Sequence, residues 1–140
     1  MNQDVKLGAL ADLHEFEAAV FRFGVQVRAF LDAFPAGVPE PSAVLPKFAD
    51  TFSATGDPVY GGGSYVHVLT VTPGDVAAWA PLLDAPATEK ISEITGAVSV
   101  IAEGVLDGLN VYVSCMDLAR TRELDQARNA TETAAAGGAG

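Results

Sequence analysis

A chain of 140 residues, 49% of them hydrophobic, has material for one domain with its own core and little room for two. Its formal charge of −10, from 18 acidic against 8 basic residues, argues against a surface that neutralises phosphates, which needs Lys and Arg in clusters. The single cysteine, Cys115, excludes an internal disulfide and a thiolate-rich zinc site.

Taken in chain order, residues 4–34 give the first strong signal. Leu13, Phe16, Val20, Phe23, Val27, Phe30 and Phe34 recur at steps of three and four, and Leu10 extends the series backwards. That spacing predicts one long amphipathic helix with a single apolar seam. Asp12, Glu15, Arg22, Gln26 and Asp32 occupy its polar side, and Pro35, Gly37, Pro39 and Pro41 end it. A short helix is expected over residues 42–52, although Pro46 lies inside it. Thr55-Gly56-Asp57-Pro58 and Gly61-Gly62-Gly63-Ser64 are loop chemistry.

Tyr65 to Val71, rich in β-branched and aromatic residues, reads as a strand. Both of its faces are mostly apolar, which predicts cover on both sides. Thr72-Pro73-Gly74-Asp75 then starts a helix with Thr72 as cap and Asp75 in the capping-box position. A further short helix is expected between Asp84 and Thr95. Ala97–Leu106 and Leu109–Met116 are β-rich runs around Asp107-Gly108, a preferred two-residue hairpin turn. A charged stretch follows, then an Ala/Gly-rich end that reads as disordered.

The expected fold is therefore α+β. The long N-terminal helix packs on a small three-stranded sheet in the order helix-strand-helix-strand-strand, in one domain over residues 1–118. Residues 119–140 form a partly disordered tail.

No catalytic constellation emerges from these elements. The glycine run precedes a strand, whereas phosphate loops follow one and open onto a helix. His14 and His67 are far apart, with no second histidine at ligand spacing, so no metal is assigned. Cys115 falls on the apolar side of the last strand and behaves as a small hydrophobe. Tyr65, His67 and Glu103 are the best candidates for a pocket between helix and sheet; Glu103 shares parity with Ile101 and Val105. No cofactor is expected.

The layout of Arg28-Ala29-Phe30-Leu31-Asp32-Ala33-Phe34-Pro35, the Tyr65–Val71 strand, Thr72-Pro73-Gly74-Asp75-Val76 and Val105-Leu106-Asp107-Gly108-Leu109-Asn110-Val111 resembles small uncharacterised proteins of high-GC actinobacteria and of their phages and mobile elements. The resemblance spans about residues 20–116. It implies an accessory or phage-encoded role and carries no activity or site residue with it.

A helix of about 30 residues spans about 45 Å, whereas a small sheet covers about 15 to 20 Å. The seam Phe16, Val20, Phe23, Val27, Phe30 and Phe34 is thus a candidate interaction surface. The functional expectation is a non-enzymatic binding or assembly protein that meets a protein partner or a second copy of itself. A small-ligand protein or enzyme, and an acidic inhibitor of a nucleic-acid-binding factor, are the alternatives. Neither direct nucleic-acid binding nor a membrane span is expected. With Met1-Asn2-Gln3-Asp4 unlike a secretory signal, the expected location is the cytoplasm.

Overall fold

Asn2 starts the long helix. Its side-chain Oδ1 accepts the Asp4 backbone N–H at 2.7 Å, which satisfies one of the amides left free in the first turn. In the computed structural model, which describes residues 1–138, α1 (Gln3–Asp32) then runs unbroken to the proline-rich segment. Seven strands follow: β1 (Ala43–Lys47), β2 (Thr51–Phe52), β3 (Pro58–Val59), β4 (Tyr65–Leu69), β5 (Thr88–Ile91), β6 (Val98–Leu106) and β7 (Leu109–Met116). Two short helices, α2 (Pro73–Ala77) and α3 (Ala80–Leu83), connect β4 to β5, and α4 (Leu118–Gly138) comes last. Asp75 Oδ2 accepts the Thr72 N–H at 3.1 Å, which fixes the start of α2.

The expected three-stranded sheet is corrected to five strands, in the order β1-β4-β7-β6-β5. Its two edge strands come from segments whose sequence suggested short helices. In β1, Pro46 stands opposite Val66 on the only neighbouring strand, so its missing N–H costs no central ladder bond. In β5, all four residues are exposed, and no apolar alternation marks them; pairing with β6 alone makes them a strand. Pairing is antiparallel except between β4 and β7, where Val66 stands beside Val111 and Val68 beside Val113. The β6–β7 hairpin turns at Asp107 and Gly108 with φ of 49° and 80°, the left-handed pair that an Asp-Gly turn provides.

One face of the sheet makes the core. Val66, Val68, Ala102, Leu109, Val111, Val113 and Cys115 pack there against Phe23, Val27 and Phe30 of α1 and against Val76, Trp79 and Leu83. Gly104 is required on this face because a Cβ would run into the Leu83 carbonyl oxygen. The other face, carrying Leu45, Tyr65, His67, Leu69, Ile101, Tyr112 and Ser114, contributes nothing to that core among the described residues. Cover on both sides of β4, expected from its composition, is therefore found on one side only.

The expected disordered tail is also corrected. Asp117 Oδ1 accepts the Arg120 N–H at 3.0 Å and starts a 21-residue helix, α4. Its first turns are fastened to the sheet. Thr121 Oγ1 accepts the Val98 N–H at 2.9 Å, and Arg120 reaches Glu89 at 3.3 Å and Glu123 at 3.1 Å. Ala, Glu, Arg and Leu are strong helix formers, so the composition that suggested a tail also sustains a solvated helix. The last two positions of the expected tail, 139 and 140, lie outside the described residues.

Candidate functional site

Placed on the fold, the aromatic seam divides. Phe23, Val27 and Phe30 are buried in the core, and Phe34 packs edge-on against Trp79 at 5.5 Å between ring centroids. Two rings from the linker cover the middle of the seam: Phe48 lies 5.7 Å from Phe16 and 5.9 Å from Phe23, and Tyr60 lies 5.8 Å from Phe16. The linker therefore shields part of the overhang, leaving Phe16 at 38% exposure and Val20 at 40%. The turns before it stay exposed, with only Pro58, Val59 and Tyr60 bordering them at His14 and Glu15 among the described residues. Leu10 and Leu13 are 42% and 47% exposed, and every residue from Met1 to Ala18 is exposed.

The candidate pocket residues meet on the open sheet face. Tyr65 and His67 stand on β4, Glu103 on β6, and Tyr112 of β7 lies between them in register. The Tyr112 ring is 6.1 Å from Tyr65 and 5.0 Å from His67. Tyr65, Glu103 and Tyr112, with Lys90 and Asn110, line a shallow groove of about 590 Å³ that does not include His67. Burial, then the nearby Glu103 and Tyr65, push the Tyr112 hydroxyl above its ordinary range.

His67 has a partner that the sequence reading missed. Its Nε2 lies 2.7 Å from Ser114 Oγ, a serine buried on the same face. The signal was available in the parity of β7, where Ser114 alternates with the apolar residues and so faces His67. A Ser–His pair invites comparison with an activated nucleophile, but the surroundings oppose that role. Burial and the nearby Lys47 both lower the His67 pKa, which disfavours the imidazolium that such a base must become. The neighbouring main-chain amides belong to the strand ladders and are not free to form an oxyanion hole. The pair satisfies two polar groups on a half-buried face.

His14 stands exposed on α1, which packs against the core face of the sheet, while His67 lies on the opposite face, so the two are not brought together. Among the described residues, no group of three or more His, Cys, Asp or Glu is placed to hold a metal ion. Cys115 is buried on the core face. No described helix is long and apolar enough to cross a membrane. Searches against protein-family models, curated proteins and solved structures find no match to this chain.

Proposed function

We propose that this chain is a non-enzymatic binding or assembly protein of the cytoplasm, acting through protein–protein contacts made by α1, in an accessory or phage-encoded setting. One observation carries the reading: the first turns of α1 extend past the core with Leu7, Leu10 and Leu13 uncovered. Most of a protein helix's stability comes from packing of its apolar face, so these leucines gain by being covered. The accessory setting rests on the sequence resemblance alone.

The reading is tested by a photo-cross-linking residue at position 13 of the full chain, in solution and in extract of the native host. The expected result is cross-linking to protein, through a complex that Leu10→Glu abolishes. Leu10 lies outside the core, so the variant leaves the fold intact. Cross-links that arise only from position 105 of the open sheet face, and never from position 13, contradict the proposal.

A further inference from the structure

A cavity of about 300 Å³, lined chiefly by polar atoms, lies where α1, the glycine run and the β6–β7 turn meet. Its volume is at the lower end of the range for small-molecule pockets. α1 supplies Arg22 and Gln26, one turn apart on the same side of the helix. Tyr60 lines it from the linker, and Asn110 from the start of β7.

The glycine run forms a fixed wall of this cavity. Gly61 N–H donates to Asp50 Oδ1 at 3.0 Å, Gly62 N–H to the Val59 carbonyl at 3.1 Å, and Gly63 N–H to the Ala49 carbonyl at 2.9 Å. Ser64 N–H donates to the Gly61 carbonyl at 3.0 Å. A Cβ on Gly62 would run into Thr51, so the loop is held close to its neighbours. With these amides spent, the run offers no nest of free N–H groups for a phosphate.

The unspent groups are side chains. The ion pairs of the described residues belong to Arg120 and Arg128. On α1, Ala18, Ala19, Val25 and Gln26 stand at helix-pair spacing from Arg22, so no carboxylate of its own helix neutralises it there. The hydrogen bonds around the cavity run from Gly61 to Asp50, between Ala49 and Ser64, and from Asn110 Nδ2 to the Ser64 carbonyl; none engages Arg22, Gln26 or the Tyr60 hydroxyl. A guanidinium fork with an amide beside it matches the two coplanar oxygens of a carboxylate.

The opposite charge gathers at the Tyr60 end. Arg22 and Tyr60 also border an adjoining cleft that holds His14 and Glu15. Burial, then Asp12, Glu15 and Asp50, keep the Tyr60 proton in place, which marks all three acids as its neighbours. One guanidinium among these carboxylates suits a bare anion poorly and a ligand carrying both signs well. We propose that this cavity binds a small zwitterion, a free α-amino acid with a short side chain. Its carboxylate meets Arg22 and Gln26, and its ammonium faces the Tyr60 hydroxyl on the side of Glu15. The cavity lies at the middle of α1, away from Leu7, Leu10 and Leu13, so it stands apart from the contact proposed for the first turns.

The test is titration of the full chain, followed by amide NMR at constant ionic strength, with L-alanine and with its two halves, propionate and ethylamine. L-alanine is expected to give saturable shifts centred on Gly61, Gly62, Gly108 and Asn110, and each half to bind at least about tenfold more weakly. Arg22→Gln should raise the Kd for L-alanine at least about tenfold, as loss of a charge-assisted contact does, with the remaining spectrum unchanged. Glu15→Gln should narrow the gap between L-alanine and propionate, a change that a merely structural role would not produce. The absence of saturable shifts with L-alanine overturns the proposal, as do shifts that persist in Arg22→Gln. Propionate binding as tightly as L-alanine also overturns it, since that marks a plain anion site.

Discussion

His67 shows how one position couples packing to pH. Burial, and secondarily Lys47, hold its imidazole below the ordinary 6.5, so the folded chain takes up this proton less readily than the unfolded chain. The stability tied to neutral His67 is therefore complete above pH 6.5 and is lost as pH falls through the lowered folded-state value. Urea unfolding across this window should show the loss, and His67→Gln should flatten the profile; an identical slope in the variant would contradict the assignment. Residue parity made part of this site legible. Tyr65 and His67 sit two apart on β4 and share a face in any pleated strand. Glu103 comes close to them only because β7 lies between β4 and β6, an order that no local pattern announces. Gly104 was likewise unreadable, because its requirement comes from the Leu83 carbonyl of a distant turn.

The elements divide by what produces them. α1, β4 and the β6–β7 hairpin carry periodicity, a cap and a turn dipeptide within their own residues, and the sequence predicts them accordingly. β1 and β5 owe their conformation to edge pairing, which local composition does not encode. The linker carries more structure than its loop chemistry suggests, since Phe48 and Tyr60 clasp the middle of α1. Phe48→Ala should remove that clasp at a cost of about 2 to 3 kcal/mol, less than the 3–5 of a fully buried phenylalanine because Phe48 is half-buried. The readout is the urea midpoint at constant slope, and an unchanged midpoint would show that α1 needs no support from the linker.

At the scale of the molecule, the five-stranded sheet buries one face and leaves the other open, while α1 buries one side of its C-terminal half and exposes its other side throughout. The sequence register predicts α1 as one long helix with a single apolar seam, and the helix is present. Only the structure divides its surface into a core side, a linker-covered middle and an uncovered outer line. That division places Phe23, Val27 and Phe30 in the core and leaves Leu7, Leu10 and Leu13 exposed as the proposed contact surface. Amide hydrogen exchange across α1, followed in the full chain before and after addition of the protein that position 13 cross-links, tests this most directly. The first turns of an uncovered helix open readily, whereas a paired helix protects them. The account predicts fast exchange of residues 3–16 in the chain alone and their protection in the complex, while the amides of β4 and β7 stay protected throughout. Residues 3–16 that exchange equally fast in the complex, beside a fully protected sheet, would contradict it.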